Sequence, residues 1–195
     1  MKNKKRVIAT ALAALLLVVG GTFTYAYFTD AKEETNVITM GNVSIELTEP
    51  KFSENTQQTN AMVNVKPNQK IVKDPTITLA DGSNAAYVRV KVTYTGELAD
   101  AQYSELEAGI KFKDGWTKGT DGYYYFNKAL TQTDKEVIAF DEVVIPEQWG
   151  DEVANKKFNI VVKAEAIQSD NFIPTMDGTN IVGWADSKGN AITAK

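Results

Sequence analysis

The chain has 195 residues, with 21 basic and 25 acidic side chains, a formal charge of −4, and neither histidine nor cysteine. Lack of histidine excludes Ser-His-Asp and Cys-His nucleophiles and zinc sites of the HExxH kind, and lack of cysteine leaves packing and hydrogen bonds to hold the fold. Carboxylate-only metal sites and carboxylate-pair hydrolases stay open in principle, but no spacing of Asp and Glu singles one out.

The first thirty residues have the layout of an export signal. Lys2, Lys4, Lys5 and Arg6 precede an uncharged run from Val7 to Val19, and Gly20-Gly21 breaks that run ahead of Thr24-Tyr25-Ala26. The basic start stays on the cytoplasmic face while the apolar core enters the bilayer. That core is shorter than the roughly 20 apolar residues of a spanning helix. Small residues Thr24 and Ala26 occupy the two positions a signal peptidase tests, which places the cut between Ala26 and Tyr27. An uncleaved N-terminal anchor is the alternative.

Cleavage there removes four basic residues and no acidic one, so the processed chain of 169 residues carries 17 basic against 25 acidic groups, a charge of −8. So acidic a product argues against nucleic acid or anionic lipid as a partner, with membrane contact only through the uncleaved signal. Its length suits one domain with a sizeable core. The expected division is a signal peptide over 1–26, an N-terminal extension over 27–40 and a β-sandwich domain over 41–195.

Residues Tyr27 to Asn36 read as an aromatic pair followed by a polar connector. From Val37 to Thr48 the pattern turns to a half-buried strand, with Val43, Ile45 and Leu47 on one side. Pro50 ends it, and Ser53 to Asn60 reads as a polar loop. Lys70 to Leu79 is extended, with Pro75 confining it to an edge or a bulge. Tyr87 to Tyr94 alternates Val88, Val90, Val92 and Tyr94 with Arg89, Lys91 and Thr93, which predicts one core face and one solvent face.

Asp100 is the expected cap of a short helix carrying Tyr103, Leu106 and Ile110, with Gly109 as its stop. Turns around Asp114-Gly115 and Asp121-Gly122 bracket Trp116 and lead into Tyr123-Tyr124-Tyr125-Phe126, which as a strand puts two aromatics on each face. Val137 to Ile145 reads as two short extended pieces split by a bend or bulge at Asp141-Glu142. In Phe158 to Ile167, Phe158, Ile160, Val162, Ala164 and Ala166 share a face. The tail after Ser169 either adds a strand around Ile181 to Trp184 or drapes over the rest. Together these elements predict an all-β, antiparallel, jelly-roll-like sandwich with one or two short helices, preceded by the signal-peptide helix.

Two binding readings arise from the residues alone. Trp116, Tyr123, Tyr125 and Trp149 are candidates for an aromatic patch that binds carbohydrate or another protein, if exposed. Asp114, Asp121, Asp177 and Asp186 are weaker candidates for a divalent ion, because Asp is ordinary in turns.

Gly20-Gly21-Thr22 leading through Ala26-Tyr27-Phe28-Thr29-Asp30, the run from Thr35 to Val43, Lys73-Asp74-Pro75, Ala86-Tyr87-Val88-Arg89-Val90, Trp116 with Asp121-Gly122-Tyr123-Tyr124-Tyr125, and Ala164-Glu165-Ala166-Ile167-Gln168 resemble the TasA and camelysin family of Gram-positive exported proteins. The resemblance implies cleavage by a SipW-type signal peptidase, secretion to the extracellular matrix or cell surface, and a jelly-roll subunit of biofilm matrix fibres. It implies self-assembly into a homopolymer, with other matrix proteins as further partners. The freed N-terminus would be the strand donated to a neighbouring subunit, with Tyr27, Phe28, Val37, Ile38 and Met40 filling its pockets. Some camelysin-like members are described as metallopeptidases. Lack of histidine departs from that role, so the expectation is a structural protein with no catalytic residue, metal or cofactor.

Overall fold

The computed structural model describes residues 33–34, 43–57, 62, 65–185, 188, 190 and 192. The signal segment and most of the extension fall outside these residues. So do Thr24, Ala26, Tyr27, Phe28, Val37, Ile38 and Met40, together with Asp186.

Thirteen strands and two short α-helices are present among the described residues. In chain order they are β1 (Glu33–Glu34), β2 (Ile45–Thr48), α1 (Pro50–Asn55), β3 (Lys70–Val72), β4 (Thr76–Leu79), β5 (Ala86–Gly96), α2 (Asp100–Ala108), β6 (Ile110–Phe112), β7 (Trp116–Lys118), β8 (Tyr124–Phe126), β9 (Glu136–Ile138), β10 (Phe140–Val144), β11 (Phe158–Gln168), β12 (Ile173–Asp177) and β13 (Asn180–Ala185). A five-stranded sheet in the order β1-β11-β5-β8-β7 is accompanied by sheets β2-β4-β9 and β3-β10-β6 and by the hairpin β12-β13. All pairings but one are antiparallel, and the exception is β1 with β11. The all-β sandwich expected from the strand pattern is the fold.

Its backbone is the pair β5 and β11, which run antiparallel in unbroken register from Ala86 opposite Gln168 to Gly96 opposite Phe158. Val88 and Val90 on β5, and Ile160, Val162, Ala164 and Ala166 on β11, are buried on one face. Ile45, Leu47, Ile77 and Leu79 from one small sheet, and Ile71, Phe140 and Val143 from the other, complete the main core with them. Burial of this kind supplies about 1.5–3 kcal/mol per large aliphatic side chain before entropy is counted.

The second face of the same sheet is the solvent face that alternation predicts at Thr93, which is exposed, and in part at Lys91, which is half-buried, but not at the Arg89 end. The hairpin β12-β13 covers that end, and Tyr123, Tyr125, Ile167, Ile181 and Trp184 form a second core there. Arg89 is consequently only 1% exposed. The four aromatics divide as expected: Tyr124 and Phe126 join the main core, Tyr123 and Tyr125 the second.

Three further differences have local causes. Pro50 ends β2 but also opens helix α1, where a polar loop was expected, because Asp74 receives hydrogen bonds from the Lys51 and Phe52 amides at 3.1 Å. Proline suits the first helical position, where no intrahelical donor is needed. Pro75 separates two strands of different sheets, β3 at an edge and β4 at a centre. Ala99, not Asp100, occupies the cap of α2, and its amide donates to Gln102 Oε1 at 2.9 Å.

Gly109 ends α2 as expected, while Ile110 leaves the helix to open β6. A Cβ on Gly109 would lie 2.4 Å from the carbonyl oxygen of Val144, so only glycine lets the helix end approach β10. The pairing of β10 with β6 shifts register between Phe140 and Val143, the irregularity expected at Asp141-Glu142, while the break between β9 and β10 falls earlier, at Ala139. The tail adds a strand at Asn180–Ala185 and a second one before it.

Candidate functional site

One place in the fold receives a strand from outside the domain's continuous run. Strand β1 lies parallel to β11, with Glu33 opposite Lys163 and Glu34 opposite Ala164, and it also contacts β2. Strand β2 belongs to the neighbouring sheet and itself contacts β11. The N-terminal segment therefore occupies a slot where the edges of two sheets meet. Among the described residues, Lys163 and Ala164 are the positions of β11 paired there. An edge of this kind offers backbone donors and acceptors to any extended segment of suitable register.

The face of the β5/β11 pair that meets the hairpin β12-β13 is charged and aromatic. Arg89 Nε and Nη2 donate to Glu165 Oε2 at 2.8 and 2.6 Å, and Nη1 donates to the Tyr125 hydroxyl at 3.1 Å. Its guanidinium is held between the rings of Tyr123, 4.0 Å away, and Trp184, 4.3 Å away. Tyr123 donates its hydroxyl to Glu165 Oε1 at 3.0 Å, and Tyr125 to Asp121 Oδ2 at 2.6 Å. Burial, then the nearby Glu165 charge, pushes the Tyr123 phenol up to about 12. Burial and the hydrogen bond to Asp121 raise that of Tyr125 further. Burial works against the charge of Arg89, but Glu165 and Tyr125 outweigh it and hold the group more basic than usual.

A second buried ion pair lies under α1. Lys73 Nζ is 2.7 Å from Glu49, with both side chains at most 3% exposed, and it rests 4.7 Å from the Phe52 ring centroid. Adjacent Asp74 is engaged by the α1 amides. Arg89, Glu165, Glu49, Lys73 and Asp74 did not stand out as functional in the sequence, where all but Glu49 appeared only within family-like motifs.

The proposed aromatic patch does not form. Tyr123, Tyr125 and Trp149 are 4%, 0% and 5% exposed, and Trp116 is half-buried. They belong to separate packings: Trp116 against Phe126 and Phe112, Tyr123 and Tyr125 against Arg89 and Trp184, and Trp149 edge-on to Phe158. The indole N–H groups of Trp116 and Trp149 donate to the Ile138 carbonyl and to Glu105 Oε2. Trp149 also lines a cleft of about 660 Å³ with Met62, Val65, Val153 and Phe158.

The sequence matches the camelysin metallo-endopeptidase family over residues 2–171, most of the chain. The chain belongs to the camelysin family. No curated protein and no solved structure matches it.

The family description implies a metal, and the donor set does not fit one. Camelysin-family or not, this chain has no histidine or cysteine to bind zinc. Among the described residues no three acidic groups come together in a way that could hold an ion. The buried carboxylates are committed elsewhere, Glu165 to Arg89 and Tyr123, Glu49 to Lys73, and Asp74 to the start of α1. Asp121, the one proposed ion ligand in this cluster, accepts from the Tyr125 hydroxyl and the Tyr123 amide.

Proposed function

We propose that this camelysin-family chain is a secreted structural subunit of extracellular biofilm matrix fibres. A SipW-type signal peptidase cuts after Ala26, and the freed N-terminus adds as a strand to a neighbouring subunit. The observation that carries this reading is the slot between β11 and β2, where a two-residue piece of the N-terminal segment already runs parallel to β11. A subunit that donates the segment forward and accepts one from behind makes a heterologous contact, which propagates a filament without closing. Before cleavage the donor is tied to the membrane, so processing acts as the assembly switch. The product resides in the extracellular matrix or on the cell surface, with itself as its main partner and other matrix proteins as further ones.

Electron microscopy of the processed protein, residues 27–195, tests this. The intact protein is expected to form filaments, and a variant lacking Tyr27 to Asn36 to remain a folded, soluble monomer. Polymerisation of the deleted protein would overturn the donor role, and failure of the intact protein to polymerise would overturn the fibre reading.

A further inference from the structure

We propose that Lys73 and Glu49 are the two halves of an amide cross-link that forms within the folded chain: the side-chain nitrogen of Lys73 condenses with the Glu49 carboxyl group, and one water leaves. This is a property of the folded domain, independent of fibre formation.

Among the described residues, two ion pairs have both side chains at most 3% exposed, and their chemistry differs. In the Arg89–Glu165 pair the cation is a guanidinium, which stays protonated and has no lone pair to offer. In the other it is a lysine, a residue type that gives up its proton readily in buried sites and then serves as a nucleophile toward carbonyl carbon. Lys73 Nζ lies 2.7 Å from both Oε2 and Oε1 of Glu49. Equal contact with the two oxygens puts Nζ about 3 Å from Cδ, the separation of a near-attack pair. As an ion pair the contact lies in the plane of the carboxylate. The last torsion of a glutamate is broad, and a turn about it presents the face of the carboxyl group to Nζ.

Both side chains spring from pinned backbone. The Lys73 amide donates to the Asp141 carbonyl at 3.0 Å, and the Glu49 carbonyl accepts from the Ser53 amide at 2.9 Å. Asp74, next to Lys73, accepts from the amides of Lys51 and Phe52 just beyond Glu49, so the side chain that starts α1 also brings the two partners together. The Phe52 ring, 4.7 Å from Nζ, lends the site an apolar wall. Such positioning supplies in advance the entropy that joining two groups costs. Burial supplies the drive: an ion pair sealed from water carries the desolvation cost of two charges, and a neutral amide carries neither.

The condensation balances without a co-reactant. One ammonium proton passes to a Glu49 oxygen, giving an amine and a carboxylic acid. The Nζ lone pair then attacks Cδ. The Nζ–Cδ bond forms, the Cδ–OH bond breaks, and a second proton from Nζ leaves with the hydroxyl as water. Nothing is oxidised or reduced.

Glu49 stands between β2 and α1, and Lys73 between β3 and β4, 24 positions further on. The bond therefore ties sheet β2-β4-β9 to sheet β3-β10-β6 at their junction. A chain without cysteine has no disulfide to make such a link.

Intact-mass spectrometry of the processed protein, purified folded and then denatured, tests this. The parent is expected to be lighter than its sequence by one water, and its protease digest to contain a branched peptide joining Glu49 to Lys73. Lys73→Arg, which keeps the charge but not the nucleophile, should have its full sequence mass. So should the double variant Lys73→Met with Glu49→Leu, which places an apolar pair in the pocket and keeps the test valid if the single variant unfolds. A succinimide at an Asp-Gly step also loses one water, so the branched peptide identifies the bond. Folded parent protein that keeps its full mass through prolonged incubation overturns the cross-link, and so does a water deficit that persists in the double variant.

Discussion

Arg89 and Glu165 face each other across the two longest strands, joined by bonds of 2.6 and 2.8 Å, and each is 1% exposed. Removing one member leaves the other charge buried without compensation, which typically costs about 3–5 kcal/mol. Arg89→Met and Glu165→Gln are each expected to lose stability on that scale in urea denaturation. The double variant Arg89→Met with Glu165→Leu should recover much of the loss, because two apolar groups need no partner. Single variants within about 1 kcal/mol of the parent would show that the pair does not hold the second core together.

This pair also marks where sequence pattern and fold part company. The period-two alternation of β5 and β11 is clear in the sequence, and with it the main core of Val88, Val90, Ile160 and Val162. The burial of Arg89 is not, because it depends on a hairpin more than eighty residues later in the chain covering a face that alternation assigns to solvent. Helix α1 was hidden for a related reason: its N-terminal amides are satisfied by Asp74 from another element, so the local sequence has no cap to show. The slot between β11 and β2 is a property of sheet edges. Periodicity within one strand carries no information about which edge is left for another segment. The buried aromatics show the converse, since the sequence places Tyr123 and Tyr125 together but cannot say that Trp184 and Arg89 enclose them.

Helix α1 gives a second prediction. Asp74 Oδ1 and Oδ2 are the acceptors for Lys51 N, and Oδ1 also serves Phe52 N. Asp74→Ala removes this long-range cap, at a cost of about 0.5–2 kcal/mol. The expected sign of a cap is local: amide exchange at Lys51 and Phe52 should accelerate more than exchange in β5 or β11. Uniform acceleration throughout the domain would mean that Asp74 acts on global stability and not on the helix start.

The tyrosines predict an alkaline limit. Burial, then Glu165, pushes the Tyr123 phenol up to about 12, and burial with the hydrogen bond to Asp121 raises that of Tyr125. A phenol with a raised folded pKa keeps its full stabilising contribution below its unfolded value, about 10, and loses it as pH climbs through the folded value. Stability should therefore hold up to about pH 10 and fall between about pH 10 and 12. Absorbance titration should show these phenols ionising late, together with loss of tertiary structure. Reversible ionisation of all eight tyrosines near pH 10, with the fold intact, would contradict the buried network.

The camelysin description allows a last test, because a metallopeptidase and a fibre subunit respond differently to chelation. A structural or catalytic ion contributes to stability by binding the folded state alone, so its removal lowers the melting temperature. Here the buried carboxylates are engaged by Arg89, Lys73, tyrosine hydroxyls and backbone amides, and taking any of them for an ion would strip a buried cation or donor of its partner. Excess EDTA is accordingly expected to leave the thermal midpoint of the processed protein unchanged, and added zinc or calcium to leave it unraised. Casein incubated with the same preparation should stay intact whether or not metal is supplied. A midpoint that falls several degrees in EDTA and returns with one particular ion would place a metal in this fold, and metal-dependent casein cleavage would restore the peptidase role that its donor set argues against.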